Sequence, residues 1–350
     1  MPISQQTNNK ARIAKRVLLK PIVSLTAKIS FLSVYDFANV LTEYSYCLNK
    51  HSKDIESKSI CFQKHPFNYD IQHDYDLETN NNAQIEESWE GQNPNLVYKT
   101  ISKFSAAYGF DLFEIKAKFC IWHPGSCYRQ IYPFYNNHPQ RDKIHKHFYG
   151  IDLYRLSNKE HNEMPIHAYQ YVDFNYNKFI SDFKFKLNKK PWTILHVPSN
   201  VNTKGTKQIN QSIESLNLDP DKFQYKSLTN VPHSRVIEEK NKSIFYIDQF
   251  WPQGCGGYGV STLESLFNSN VTFSTINNIA DSMLELTGND GCPVVSLGTT
   301  AEESVTTLKA LVQNATKEQL IEHMEATGQW LEKYYSTESV INFFKSIYND

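Results

Sequence analysis

The chain has 350 residues, enough for two domains of ordinary size. An apolar share of 40% and an aromatic share of 13% support a sizeable buried core and exclude a disordered chain. A formal net charge of −1 lacks the basic excess of a nucleic-acid binder, so nucleic acid is not an expected partner.

The chain opens on "MPISQQTNN", which is polar and has no signal-peptide pattern. No apolar run of about 18 residues follows, so no membrane span is expected. "KARIAKRVLLK", residues 10–20, mixes basic and apolar residues. It reads as a basic lead-in to the first strand, with a peripheral membrane contact as the alternative. The six cysteines (Cys47, Cys61, Cys120, Cys127, Cys255 and Cys292) form no C-x-x-C pair. They read as reduced thiols, and the protein as cytoplasmic.

In the first half, "AKISFLS" (27–33) predicts a strand and "DFANVLTEYSYCLNKHS" (36–52) a helix with Asp36 at its N-cap. "SKSICFQ" (57–63) predicts a second strand. Residues 68–95 are rich in Asn, Asp and Glu and read as a long exposed loop. "LVYKTISKFSAAYGF" (96–110) predicts a helix and "KAKFCIWH" (116–123) a strand. "HPQRDKIHKHFYG" (138–150) reads as a helix and "IDLYRLS" (151–157) as a strand. Residues 174–191 are basic and aromatic with no clear period, and read as an interdomain linker.

The second half alternates more cleanly. Strands are expected at 192–198, 222–228, 243–250, 271–276 and 292–297. Helices are expected at 204–218, 233–242, 259–269, 301–314, 317–334 and 337–348. Alternating strands and helices argue for right-handed crossovers and parallel, doubly wound sheets. Such sheets bind ligands beyond the carboxyl ends of their strands.

Lys204, in "HVPSNVNTKGT", falls between a strand and a helix. Its ammonium and the free helical N–H groups nearby suit a phosphate. "GGYG" (256–259) occupies the equivalent position two strands later, where glycines let backbone N–H groups approach an anion. Glu264 follows on the next helix, placed to accept hydrogen bonds from ribose hydroxyls. In the first half "WHPGSCYR" (122–129) directly follows a strand, bringing His123, Ser126, Tyr128 and Arg129 to a sheet edge. Asp74 and Asp76 form a D-x-D that could hold a divalent cation, but in the polar loop. His145 and His147 would diverge on a helix, with no third ligand in view.

Over 190–348 the ordered set "ILHVPSNVNTKGT", "VPHSRV", "IFYIDQF", "GGYGVSTLES" and "CPVVSLGTTAEES" resembles the GT-B glycosyltransferases of the retaining, glycogen-synthase-like type. In the first half the resemblance rests on "WHPGSCYR" and "MPIHAYQYVD". It implies an α/β fold with two Rossmann-like domains facing across a cleft. The acceptor domain would span 1–173, a linker 174–191 and the nucleotide-sugar domain 192–334. The last helix, 335–350, would pack back on the first domain. It further implies a metal-independent hexosyltransferase of polysaccharide biosynthesis, with a nucleotide sugar as substrate and no cofactor.

Carried over by position, Ser199, Asn200, Lys204, Gly257, Tyr258, Gly259 and Glu264 would bind the donor. Asp36, Asn39, Ser126 and Arg129 would face the acceptor, and His123 the transferred sugar. Lys204, Glu264 and His123 would thus carry the catalysis. The sequence departs from the family at three places. Gly256 stands where many relatives carry the first of two glutamates. The Arg that relatives carry a few residues before the lysine is missing, "SNVNTKG" offering Ser199, Asn200 and Asn202 instead, and "SVYDFAN" replaces a glycine-rich turn. Alternatives are a catalytically silent nucleotide-sugar-binding protein, a metal-dependent transferase using Asp74 and Asp76, and a sugar-nucleotide epimerase on the same fold.

Overall fold

A computed structural model describes residues 29–33, 40–53, 55, 57–61, 75–76, 119–123, 144–147, 163–164, 174–250, 259–276 and 292–349. They build two parallel sheets.

The first sheet comprises β1 (Ile29–Ser33), β2 (Ser57–Cys61), β3 (Tyr75–Asp76), β4 (Phe119–His123), β5 (Ile144–His147) and β6 (Glu163–Met164). Its order is β3-β2-β1-β4-β5-β6, with every pairing parallel. The strand order reverses between β1 and β4, where Ser33 and His123 stand in register at the carboxyl ends. Helix α1 (Val40–His51) links β1 to β2 and buries Tyr44, Cys47 and Leu48. Asn49 fixes the start of β2: its amide donates to the Ser57 carbonyl and its oxygen accepts from the Ser57 N–H, both at 2.9 Å.

Three expectations are corrected here. The segment expected as a helix at 138–150 contributes strand β5, pairing with β4 and β6. Sheet pairing on both sides overrides the local helical reading, so the H-x-H of His145 and His147 lies on a strand. Within the expected loop 68–95, Tyr75 and Asp76 form edge strand β3 beside Ile60 and Cys61. Residues 174–191, read as aperiodic, contain helix α2 (Tyr176–Leu187), capped by Asn175. Phe179, Ile180, Phe183 and Leu187 do have a helical period. It was obscured by exposed Phe185 and by Lys186, a charged residue on the buried face. Lys186 donates to the carbonyls of Lys240, Asn268 and Ser269, tying α2 to the ends of two other helices.

The second sheet follows as β7 (Trp192–His196), α3 (Thr206–Ser215), β8 (Phe223–Ser227), α4 (His233–Lys242), β9 (Phe245–Gln249), α5 (Val260–Phe267), β10 (Val271–Ser274) and β11 (Val295–Ser296). Its order, β11-β10-β9-β7-β8, reverses between β7 and β9. Both of those strands are buried throughout, whereas edge strand β8 is half-covered. Right-handed crossovers put α3 on one face and α4 with α5 on the other. The core joins Ile194, Phe245, Ile247 and Phe273 to Leu263, Leu266, Met324 and Leu331. The chain closes with α6 (Ala301–Leu308), a π-helical turn (Lys309–Gln313), α7 (Lys317–Tyr335) and α8 (Thr337–Asn349). α7 packs on α2, and α8 reaches α1, where the Phe344 and Tyr44 rings meet edge-on at 5.0 Å. Among the described residues no helix is long and apolar enough to cross a membrane.

Candidate functional site

A strand order that reverses leaves a crevice at the carboxyl ends of the two strands flanking the reversal, because the connections there depart to opposite faces. In the second sheet those strands are β7 and β9.

β7 ends on His196, which is buried. The Ile247 carbonyl can only accept, so His196 Nδ1 donates to it at 2.8 Å. Nε2 is then the acceptor for the Thr206 hydroxyl at 2.9 Å. Burial lowers the imidazole pKa, which favours this neutral form. His196 thereby fixes the start of α3 against the reversal point.

The loop between them, 197–205, is shaped by Asn200. Its side-chain oxygen accepts from the N–H groups of Asn202 at 2.9 Å and Thr203 at 3.2 Å. Asn200 is thus a turn-former, while Ser199 beside it is exposed. Gly205 adopts φ 66°, and a Cβ there would meet the Phe250 carbonyl oxygen at 2.0 Å. The loop therefore lies directly on the end of β9, and the Phe250 N–H donates to the Lys204 carbonyl at 3.1 Å.

Lys204 does not project freely into solvent. Its Nζ lies 2.9 and 3.0 Å from the two Asp248 oxygens and 3.2 Å from Gln249 Oε1. Three acceptors match the three ammonium donors, and the side chain keeps 20% of its exposure. Asp248, at the end of β9, also accepts from the Thr262 hydroxyl at 3.0 Å. Burial pushes its carboxyl pKa up, but Lys204 and Thr262 outweigh that and hold it below the usual range.

Glu264 forms a second network. One oxygen accepts from Lys240 Nζ at 2.7 Å, and the other lies 2.7 Å from His233 Nε2. Lys240 is fully buried and also donates to the Ser261 carbonyl and hydroxyl. Burial again pushes the carboxyl up, but Lys240 and His233 bring it down to about 2. Glu264 is therefore an ionised, buried carboxylate with both oxygens engaged. His233, the first residue of α4, is the more exposed end of this network, at 18%.

The first turns of α3, α4 and α5, which follow β7, β8 and β9, carry no side-chain cap; their N-cap residues are Gly205, Pro232 and Gly259. A Cβ on Gly259 would meet nothing within 4 Å. Helix starts of this kind, lying beside a cation, suit an anionic ligand.

The structure thus gathers Ser199, Asn200, Lys204, Gly259 and Glu264 around the carboxyl edge of the second sheet. His123 ends β4 at the corresponding edge of the first. Asp36, Asn39, Asp74, Ser126, Tyr128, Arg129, Gly256, Gly257 and Tyr258 lie outside the described residues. The sequence reading missed His196, Asp248, His233 and Lys240. The first two had a signal, since each is a polar residue near the end of an apolar strand. His233 and Lys240 had none, because Glu264 meets them only through packing of α4 on α5.

No family model and no curated protein matches this sequence. The fold does match solved structures. Sucrose-phosphate synthase from Thermosynechococcus elongatus aligns at 10% identity with a TM-score of 0.58, covering 93% of this chain and 98% of that one. S. aureus MnaA, solved with UDP, aligns at 12% identity with a TM-score of 0.52, covering 92% and 97%. With its two parallel sheets, the chain has the GT-B fold.

Proposed function

We propose that this protein binds a nucleoside-diphosphate sugar at the β7/β9 crevice and transfers the sugar to a glycan, lipid-linked or polysaccharide acceptor. The observation that carries the reading is the set of uncapped helix starts around Lys204 at the reversal point of the second sheet. The diphosphate would lie across the starts of α3 and α5, with Gly257, Tyr258 and Gly259 beneath it. When the glycosidic bond breaks, negative charge grows on the leaving diphosphate. Helical N–H groups and a nearby ammonium stabilise that charge without a metal. Retention at the transferred carbon requires no nucleophile from the chain in the family it resembles. In this reading residues 1–173 hold the acceptor, with His123, Asp36, Asn39, Ser126 and Arg129 on that side. Residues 192–334 hold the donor.

Lys204 has two roles in this proposal, neutralising Asp248 and drawing the diphosphate. The test is binding and turnover across UDP-, GDP- and ADP-sugars. At least one should bind below millimolar concentration, and Lys204→Ala should weaken it by about 1–3 kcal/mol. Adding Asp248→Asn removes the buried anion that Lys204→Ala leaves without its counter-charge. Restored affinity would limit Lys204 to neutralisation, and persistent weakness would place it on the phosphates. Absence of binding across the panel would refute the proposal. Free epimerised sugar released without acceptor would replace transfer by epimerisation, and binding without turnover would indicate a silent member. Loss of turnover in EDTA would instead support a metal-dependent transferase using Asp74 and Asp76.

A further inference from the structure

A cavity of about 700 Å³ opens where the entry to α2 meets the turn between α7 and α8. Phe174 and Asn175 line it from the α2 side, Glu332 from the last turn of α7, and Glu338 and Asn342 from α8. It lies apart from the nucleotide crevice. The Phe174 ring sits 6.0 Å from that of Phe267, the last residue of α5. The crevice is at the opposite end of that helix, whose 8 residues span about 12 Å.

One wall of the cavity is a fixed ring. Phe174 meets Phe267 edge-on and leans on Phe179 at 5.3 Å, which holds its ring while leaving it half-exposed. Asn175 is oriented too. Its side-chain oxygen accepts from the Lys178 N–H at 2.9 Å, so its amide N–H groups are left to donate elsewhere. Glu332, Glu338 and Asn342 are exposed and make no hydrogen bond or ion pair among the described residues. The Ser336 and Ser339 hydroxyls, by contrast, pair with each other, and Ser339 donates to the Lys333 carbonyl. The Lys333 ammonium lies over the Tyr334 ring, 4.5 Å from its centre.

This set of groups selects a ligand by exclusion. Two carboxylates without a counter-ion disfavour an anion. Two amides offer N–H donors that a cation cannot use. An apolar molecule would cover the polar groups without pairing them. A neutral polyhydroxyl ligand uses every group. Its hydroxyls donate to the carboxylates and accept from the amides, and the C–H face of a pyranose ring packs on Phe174. The volume is that of a small-molecule site. We infer that this cavity is a saccharide-binding site, holding a short stretch of a glycan away from the nucleotide crevice. The inference goes beyond the nucleotide-binding reading and does not require it.

The test titrates the full chain with maltopentaose, cellopentaose, chitopentaose and mannopentaose by calorimetry, with spermidine as the cationic control. At least one oligosaccharide should bind at low millimolar concentration, and spermidine should not. Glu338→Ala and Asn342→Ala alter exposed side chains, so both variants should fold. Each should weaken the oligosaccharide roughly two- to tenfold. Phe174→Leu keeps apolar contact with Phe179 and Phe267 but removes the flat ring, and should weaken binding by a similar factor. Nucleotide affinity should be unchanged in all three, and Lys204→Ala should leave oligosaccharide affinity unchanged. If no oligosaccharide binds, the inference is overturned. Affinity that survives the Glu338→Ala, Asn342→Ala double variant would put the saccharide elsewhere on the protein, and a loss with Lys204→Ala would put it in the crevice. Spermidine binding that Glu338→Ala abolishes would make the cavity a cation site. Each of those results overturns the inference as well. Oligosaccharide binding without nucleotide binding would sink the nucleotide reading and leave this one standing.

Discussion

Helices α3, α4 and α5 begin on Gly205, Pro232 and Gly259 without a capping side chain. Three other helix starts do carry a capping side chain. Asn175 caps α2, and Thr300 and Thr316 form complete capping boxes on α6 and α7. On α6 the chain supplies its own anion: Glu303 accepts from the Thr299 and Thr300 N–H groups at 2.6 and 3.1 Å, and those bonds lower its carboxyl pKa. The same chain therefore fills an anion position at one helix start and leaves three others without a side-chain cap. Those three follow the strands at the crevice and its flank. The difference favours the proposed ligand position at β7/β9 over one beside β11.

The largest expected effect tests what holds that edge together. Glu264→Gln leaves Lys240 buried without its counter-charge and should cost about 3–5 kcal/mol in chemical denaturation. Acid should expose the same dependence. The folded carboxyl titrates near 2 and the free group near 4.5. Its stabilisation is therefore complete above about 4.5 and lost as pH falls from there toward 2. Stability curves of the native protein should steepen in that window, and those of Glu264→Gln should be flatter. Parallel curves would detach Glu264 from the stability of the crevice.

Gly205→Ala comes next. It forces a side chain into φ 66° and places Cβ 2.0 Å from the Phe250 carbonyl oxygen. The conformation alone costs about 1–2 kcal/mol, so the total should exceed that, and nucleotide affinity should fall with it. A variant of unchanged stability would mean that the loop does not rest on β9 as described.

Much of the architecture could be read in the sequence because the second half alternates short apolar strands with amphipathic helices. "WTILH" and "IFYID" are apolar runs that reveal buried central strands. α2 could not be read that way, since its inward face includes Lys186, whose role depends on carbonyls more than 50 positions away. β5 was misread because a four-residue strand is defined by its neighbours rather than by its own pattern. For the site, sequence spacing placed Lys204 and Glu264 near the edge of the sheet. It could not show that each is paired from within, Lys204 by Asp248 and Glu264 by Lys240 and His233, because those partners lie 24 to 44 positions away.

The smallest effect gives the sharpest version of the comparison. Thr300→Ala removes a cap that serves only the fold, and should cost about 1 kcal/mol without changing nucleotide affinity. Gly259→Ala should do the reverse. Its φ of −89° suits any residue, and nothing described lies within 4 Å of the added methyl. The reduced freedom of the unfolded chain offsets the weaker N-cap, so stability should stay within about 0.5 kcal/mol. A methyl at the start of α5 nevertheless occupies the space through which a phosphate would approach the helical N–H groups. Nucleotide affinity should therefore fall roughly tenfold, as for the loss of one charge-assisted hydrogen bond. If Gly259→Ala binds as tightly as the native protein, the diphosphate does not lie over α5, and the missing cap there reflects nothing about the ligand.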